Sequence, residues 1–225
     1  MSSTGRGVER QKQDAYMTPL DAIESLISKS DVWTPDNTYE RQLTLLDPCM
    51  GDGWCLNAIR SKLSFDKAVA MEINPNNFDR SQVLADTIIT DNYLTPNTVL
   101  AQTLQKHGQF TVGVTNPPYG YKDEDNNDVT WIDFYYRMRR QCETVVLLLP
   151  LSVFGALCRK DFWDDKVNKP SDLIVLSRRP SFRYAMSEEY VKNKHGKKGS
   201  DSSVYAWFVW RDTHNEVDYT VIHHA

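Results

Sequence analysis

Short apolar runs recur along the chain, and each is long enough for a buried β-strand but too short for a helix. Many of their residues are β-branched or aromatic, as strands favour. The most apolar run, 144–150, has the composition of a central strand covered on both faces. The predicted strands are 43–46, 68–71, 87–90, 110–115, 144–150, 173–176 and 204–210.

Segments with apolar residues at helical spacing separate most of these strands. Thr18 is a predicted N-cap, with Pro19 at the first helical position. Strands that alternate with helices indicate a doubly wound α/β sheet. Only polar sequence and Pro180 separate 173–176 from 204–210, so these two strands can pair as an antiparallel hairpin at the edge of the sheet. The predicted helices cover about 19–29, 54–63, 75–85, 97–107, 131–140 and 151–167.

The composition fits one soluble domain. The chain has 225 residues, of which 40% are hydrophobic and 25% charged, which is enough for a full core but not for a second large domain. A formal charge of −4 excludes a generally basic coat, so any surface for nucleic acid must be local. We expect a flexible tail at 1–14 and a single domain at 15–225.

Neither a metal nor a membrane is predicted. The four cysteines form no CxxC pair and have no histidine at metal-ligand spacing, so we expect reduced thiols, as in the cytosol. The tail lacks the apolar core of a signal peptide, and no run approaches the length of a membrane span. We therefore expect a cytoplasmic protein.

Three carboxylates follow three successive predicted strands. Asp47 follows 43–46, Glu72 follows 68–71 and Asp91 follows 87–90. Ligands of doubly wound sheets bind beyond the carboxyl ends of the strands, which lie along one edge. The three acids are therefore expected at one ligand-binding edge.

The turn after the first of these strands contains Gly51-x-Gly53. Such glycines let the backbone approach a ligand closely, and the helix that follows offers free N–H groups. Asp47 in this turn would repel a pyrophosphate and would suit an ammonium group. Glu72, about twenty residues further on, can accept two hydrogen bonds from a ribose diol. A plain turn and a solvated glutamate remain the alternatives.

The strand 110–115 ends in Asn116-Pro117-Pro118-Tyr119. Two prolines hold Asn116 at the strand end, where its side-chain oxygen and the Pro117 carbonyl offer two acceptors. Tyr119 adds a flat aromatic surface. Together these groups can hold a planar amino group, such as the exocyclic NH2 of a nucleobase. The alternative is a Pro-Pro turn with a tyrosine packed on it.

The motifs that carry a family resemblance are, in chain order, Tyr16-x-Thr18-Pro19, Asp47-Pro48-x-x-Gly51-x-Gly53, Glu72, Asp91 and Asn116-Pro117-Pro118-Tyr119. With these motifs the chain resembles the amino-group methyltransferases that use S-adenosylmethionine, and in particular compact, phage-type N6-adenine DNA methyltransferases. The resemblance covers about 16–210. It implies a Rossmann-like class I methyltransferase fold: a three-layer α/β sandwich whose mostly parallel, seven-stranded sheet has an antiparallel last strand.

The resemblance also implies roles for individual residues. Asn116, Pro117, Pro118 and Tyr119 would be catalytic, transferring the methyl group to the N6 amine of a flipped-out adenine and leaving S-adenosylhomocysteine. Met50 departs from the aromatic residue often found before the first glycine. The implied cofactor-binding residues are Tyr16, Thr18, Pro19, Asp47, Pro48, Gly51, Gly53, Glu72, Asp91 and Asn116.

A DNA-methylating enzyme needs a positive surface, and the cations between the last two predicted strands supply one. The segment 178–200 is the candidate DNA-binding loop, whereas arginines 137, 139 and 140 are expected to be surface charge. The candidate DNA-binding residues are Arg178, Arg179, Arg183, Lys192, Lys194, Lys197 and Lys198.

Other substrates and roles stay open. The same motif would serve adenine N6 methylation in RNA or methylation of a glutamine amide in a protein, and a non-catalytic scaffold of the same fold is a third class. No separate recognition domain fits after residue 150, so a homodimer or a recognition subunit is an open source of target specificity. Self-protection against restriction is the biological role expected for such a stand-alone phage enzyme.

Overall fold

The computed structural model describes residues 16–33, 42–155, 157–184, 186, 203–211 and 221–224. The predicted tail at 1–14 lies outside the described residues. So does most of the candidate DNA-binding loop, including Lys192, Lys194, Lys197 and Lys198.

Apolar runs become strands where the sequence predicts them. The described strands are β1 (Tyr16–Met17), β2 (Thr44–Asp47), β3 (Lys67–Glu72), β4 (Thr87–Thr90), β5 (Phe110–Thr115), β6 (Gly120–Lys122), β7 (Asp128–Thr130), β8 (Cys142–Pro150), β9 (Asp172–Leu176), β10 (Arg183–Tyr184), β11 (Tyr205–Arg211) and β12 (Val221–His224).

Eight of these strands form one sheet, in the order β12-β9-β11-β8-β5-β2-β3-β4. Every neighbouring pair is parallel except those of β11, which runs antiparallel to both β8 and β9. All seven predicted strands are present, and the predicted antiparallel pairing of 173–176 with 204–210 is confirmed. β12, which the sequence analysis did not predict, adds an eighth strand beside β9, so β12 and not the predicted antiparallel pair lies at this edge of the sheet.

Helices cover both faces of the sheet, which gives the expected three layers. Side chains of α1 (Leu20–Ile27) and α3 (Trp54–Arg60) pack on one face, and those of α4 (Thr98–His107), α5 (Trp131–Arg139) and α6 (Lys160–Asp164) pack on the other. The predicted helix near 97–107 is confirmed: the side chain of Asn97 caps its start and Gly108, at a φ of 75°, ends it. The described α-helices are α1 (Leu20–Ile27), α2 (Ser30–Trp33), α3 (Trp54–Arg60), α4 (Thr98–His107), α5 (Trp131–Arg139) and α6 (Lys160–Asp164).

The helix predicted at 75–85 is wrong. This segment forms two short 3-10 turns, Pro75–Asn77 and Arg80–Gln82. The side chain of Asn74 accepts from the Asn76 amide at 3.0 Å, and that of Asp79 accepts from the Ser81 amide at 2.9 Å. These local hydrogen bonds from side chain to backbone compete with the backbone hydrogen bonds of a continuous α-helix, and two short turns form in its place.

The helix predicted at 151–167 is mostly wrong as well, because among the described residues this segment forms 3-10 turns and the short α6. The Val153 carbonyl accepts hydrogen bonds from the side chains of Arg159 and Trp163, both at 3.0 Å. In a continuous α-helix this carbonyl would accept from a backbone amide four residues later.

Residues 120–130 form a β-hairpin of β6 and β7. Lys122 and Asp128 form an ion pair across it at 2.9 Å, and Val129 is buried beneath it.

At the start of α1, Thr18 does not cap the helix as predicted. The helix begins one residue later than expected, with Pro19 at the cap position and no side-chain capping hydrogen bond.

Gly113, in the middle of β5, gives a test of the packing between the sheet and α5. A Cβ atom added there would lie 2.6 Å from Cys142 Sγ and 2.7 Å from Met138 Cε. We expect Gly113→Ala to lower the free energy of unfolding by about 1–3 kcal/mol, measured by urea denaturation. Gly155→Ala is the control, because no heavy atom lies within 4 Å of the added Cβ. Equal stability of the two variants would contradict the packing described.

Candidate active site

The carboxyl ends of β2, β3 and β4 bring the three predicted acids to one edge of the sheet. Asp47 pairs in register with Ala70, and Glu72 pairs with Thr90. Asp91 follows directly, and its amide donates to the Glu72 carbonyl at 3.2 Å. Asp47 and Glu72 are buried, at 1% and 6% exposure, although both are carboxylates. Buried charges without a partner are costly, so this edge favours a ligand that carries positive charge.

The glycine turn after β2 folds back over these acids. Gly51 has a φ of 57° and Gly53 a φ of 81°, which are left-handed values that favour glycine. The Gly51 amide donates to Glu72 Oε2 at 3.1 Å, which ties the turn to β3. A Cβ on Gly53 would lie 2.8 Å from Val83 Cγ2, so this position has no room for a side chain.

The electrostatics of the turn centre on Asp47. Its Oδ1 accepts from Thr115 Oγ1 at 2.9 Å and from the Cys49 amide at 3.2 Å. Burial raises the pKa of Asp47 from 3.8 to about 7, against those two hydrogen bonds, and the charges of Glu72 and Asp52 raise it further. Burial likewise raises the pKa of Glu72 and of Asp52. A cation placed among them would relieve this cost.

Asparagine side chains hold the other two acids in place. Glu72 Oε1 accepts from the Asn74 amide at 2.9 Å and from Asn77 Nδ2 at 3.0 Å. Asp91 accepts from Asn97 Nδ2 at 2.7 Å through Oδ2 and from the next backbone amide, also at 2.7 Å, through Oδ1. The sequence analysis did not predict these supporting asparagines, although each lies within six residues of the acid it holds.

Asn116 lies at the end of β5 and is half-buried. Its Nδ2 donates to Thr18 Oγ1 at 3.3 Å, and its Oδ1 accepts from the Tyr119 hydroxyl at 2.6 Å. Of the two prolines between Asn116 and Tyr119, Pro117 is buried and Pro118 is exposed. The structure therefore joins the motif at Tyr16-x-Thr18-Pro19 to the motif that begins at Asn116, almost a hundred residues later in the sequence.

An aromatic wall flanks Asn116. We use this name for Tyr119, Tyr205, Phe182, Tyr16 and Tyr184. Successive ring centroids in that order lie 6.0, 5.4, 6.5 and 5.6 Å apart. The wall exists because β11 lies beside β8 and because the short strands β1 and β10 pair, with Tyr16 opposite Tyr184. The sequence analysis missed Tyr205 because its place beside Tyr119 depends on the insertion of β11.

Three of the candidate DNA-binding residues are described. Arg178 and Arg179 are exposed just beyond the carboxyl end of β9, at the same edge of the sheet as Asn116, and Arg183 is half-buried in β10. The same segment approaches the glycine turn, because the backbone of Met186 hydrogen-bonds the Asp52 carboxylate. The described cations thus lie near the carboxyl edge of the sheet.

The described part of the chain contains no group of three histidine, cysteine, aspartate or glutamate side chains placed to hold a metal ion. Within the same residues, no helix has the length and apolar character needed to cross a membrane.

No protein-family model matches this chain, and no curated protein matches it. Solved structures do match. One is a type I restriction-modification methyltransferase subunit from Streptococcus thermophilus, with 13% identity and a TM-score of 0.60 over 95% of this chain and 48% of that chain. Another is DrdV in a complex with DNA, with 12% identity and a TM-score of 0.59 over 93% of this chain and 27% of that chain.

A third match is a protein from Pyrococcus horikoshii described as an RNA methyltransferase, with 12% identity and a TM-score of 0.51 over 91% of each chain. The fold is that of the class I methyltransferases. The predicted fold class is therefore confirmed, with β12 as an addition to the seven-stranded sheet. This chain spans about half the length of the Streptococcus subunit and a smaller part of DrdV.

The buried carboxyl group of Asp47 predicts an unusual pH dependence of stability. Because the folded-state pKa of Asp47 lies above its unfolded value, its contribution to stability falls as pH rises from about 4 to about 7. Asp47→Asn removes the ionisable group and with it this loss of stability at high pH. Relative to the parent protein, the variant should gain roughly 2–3 kcal/mol more stability at pH 8 than at pH 5, measured by urea unfolding without ligand.

Asp161→Asn is the control for this prediction, because it removes an exposed carboxylate on α6. If the stability gain of Asp47→Asn over the parent were the same at pH 8 and at pH 5, burial would not raise the pKa of Asp47.

Proposed function

We propose that this protein transfers a methyl group from S-adenosylmethionine to the N6 amino group of a flipped-out adenine in DNA. The observation that carries the proposal is the position of Asn116. Its carboxamide lies at the carboxyl end of β5, is hydrogen-bonded to Thr18 and Tyr119, and is joined through β5 to the buried acidic turn. The site proposed for a planar amine thus adjoins the acidic edge proposed for a positively charged cofactor.

The acidic edge fits S-adenosylmethionine. The cofactor carries an ammonium and a sulfonium group, and Asp47, Asp52 and Glu72 are acids whose pKa values burial raises. Glu72 would hold the ribose hydroxyls and Asp91 the adenine amino group, while Tyr16, Thr18 and Pro19 would close over the site. When bound, the cofactor supplies an electrophilic methyl group. No part of the proposal requires a metal.

Asn116 would act on the target amine by positioning and electrostatics. The N6 lone pair of adenine is delocalised into the ring, which makes the amine a weak nucleophile. Asn116 Oδ1 and the Pro117 carbonyl would accept its two hydrogens out of the ring plane and so direct the lone pair towards the methyl group. Both acceptors also stabilise the positive charge that develops on nitrogen.

Tyr119 would stack on the extruded base. A base inside a duplex is out of reach, so it must leave the stack, and an aromatic surface contributes on the order of 1–3 kcal/mol per stacked base. The buried rings of Tyr205 and Phe182 pack behind Tyr119 and would support it. Arg178 and Arg179 at the same edge would contact the phosphate backbone.

DNA is proposed over RNA because the chain resembles DNA adenine methyltransferases in the motif Tyr16-x-Thr18-Pro19, and because two of the similar structures are a restriction-modification subunit and a protein solved with DNA. The similarity to a protein described as an RNA methyltransferase supports adenine in RNA as the second candidate. Glutamine amide methylation and a non-catalytic scaffold have no specific support of this kind.

Asn116→Ala should abolish methyl transfer while it leaves cofactor affinity nearly unchanged, because the alanine removes an acceptor for the target amine and leaves the acidic turn intact. Transfer is measured with labelled cofactor on unmethylated duplex DNA, RNA and protein in parallel, and cofactor binding by calorimetry. Gln102→Ala, which removes an exposed carboxamide on α4, is the control.

The parent protein should label DNA alone. If methyl label appeared in RNA or protein and not in DNA, the proposed substrate would be wrong. If Asn116→Ala kept full methyl-transfer activity, Asn116 would not be a catalytic residue.

Charge reversal at Arg178 and Arg179 should weaken DNA binding and flatten its dependence on salt, because each lost phosphate contact lowers the slope of log K against log salt by about one. The measurement is fluorescence anisotropy over a salt series. Reversal of Lys62 and Lys106 is matched in charge but lies near the ends of α3 and α4, at the opposite edge of the sheet. An identical salt slope for both double variants would show that Arg178 and Arg179 do not contact DNA.

A further inference from the structure

Arg137 is not the surface charge that the sequence analysis expects. It lies on α5 and is half-buried. Its Nη1 donates to the Leu94 carbonyl and its Nη2 to the Thr95 carbonyl, both at 2.8 Å. The guanidinium carbon also lies 5.1 Å from the ring centroid of Tyr93, within reach of a cation–π contact. One side chain thus grips three successive residues of a segment that follows β4.

That segment carries Asp91. Within it, Asn92 accepts from the Leu94 amide at 3.0 Å through its side chain and from the Thr95 amide at 3.1 Å through its carbonyl. The Tyr93 hydroxyl donates to Gln141 Oε1, at 2.7 Å, just beyond α5. We call 91–95 the adenine loop, after the role proposed for Asp91. The loop is short and hydrogen-bonded within itself, and Arg137 joins it to the helical layer.

We propose that Arg137 is a positioning residue for cofactor recognition: it fixes the adenine loop so that Asp91 meets the 6-amino group of the cofactor's adenine. The inference rests on the proposed function, because it needs S-adenosylmethionine at this edge. The planar guanidinium fork donates to both carbonyls at once, which a lysine ammonium at the end of a flexible stem does not reproduce. A recognition group that is held before binding loses less entropy when the ligand arrives.

A role limited to folding predicts something different. If Arg137 only stabilised the protein, its loss would weaken binding of every cofactor analogue equally or not at all. If it positions Asp91, its loss weakens binding of the adenine compound selectively. An analogue with hypoxanthine in place of adenine lacks the 6-amino group and therefore separates the two cases.

The experiment compares Arg137→Met with Arg140→Met. Arg140 lies one turn further along, and its Nε donates to the Tyr136 carbonyl of α5, so the control removes the same charge and leaves both hydrogen bonds from Arg137 to the adenine loop in place. Calorimetry measures binding of S-adenosylhomocysteine and of its hypoxanthine counterpart. Amide hydrogen exchange in the ligand-free protein measures opening of 91–95.

The parent protein and Arg140→Met should bind the adenine compound more tightly than the hypoxanthine compound. Arg137→Met should lose about tenfold of this preference, which corresponds to about 1.4 kcal/mol, and should exchange amides of the adenine loop faster. Arg137→Lys keeps the charge and most of the stem, and should lie between the parent and Arg137→Met in both measurements.

If Arg137→Met kept the full preference for the adenine compound and the amide exchange of 91–95 did not change, the proposed function would stand and the role of Arg137 would be overturned. The same loss in Arg140→Met would overturn it too, because the effect would then follow from charge. A parent protein that binds neither compound would overturn the proposed function and this inference with it.

Discussion

Buried negative charge at the carboxyl edge is the constraint on which the site depends. Asp47 is removed from water between β2 and β5, and Thr115 gives it one hydrogen bond from a neutral hydroxyl. Glu72 and Asp52 add further negative charge close by. The folded chain thus loses stability by burying acidic side chains at this turn, a cost that proteins commonly carry at functional sites. The sheet tolerates this because its apolar core is extensive on both faces.

Topology brings two groups of side chains to this edge of the sheet. The parallel strands β2, β3 and β4 supply the acids, and β5 supplies Asn116. β11 enters between β8 and β9 in the opposite direction, so its first residue, Tyr205, pairs with Pro150 at this same edge. A parallel strand in its place would have put Tyr205 at the far end of the sheet. The antiparallel insertion thus accounts for the aromatic wall.

Local patterns account for what the sequence predicts well. Runs of β-branched residues mark the strands, and in parallel strands that register alone brings Asp47, Glu72 and Asp91 together. Asn116 was recognisable because two prolines follow it at a strand end. These features need only neighbouring residues and the general geometry of a doubly wound sheet.

The sequence analysis fails where a residue's partner is distant or where two local preferences compete. Apolar spacing predicts a helix at 75–85, but the side chains of Asn74 and Asp79 bind nearby amides and break it. Arg137 is read as surface charge because the carbonyls that it binds lie over forty residues away. The pairing of β1 with β10, two residues each, leaves no periodic signal.

The hydrogen bond from the Tyr119 hydroxyl to Asn116 has a consequence for chemical selectivity. A carboxamide oxygen has two lone pairs, so Asn116 Oδ1 can accept from Tyr119 and from one ligand proton at the same time. A neutral hydroxyl has one proton and can bond either this oxygen or the adjacent peptide oxygen. A primary amine brings two protons and can bond both oxygens at once. In the proposed methyl transfer, this geometry would favour nitrogen over oxygen nucleophiles.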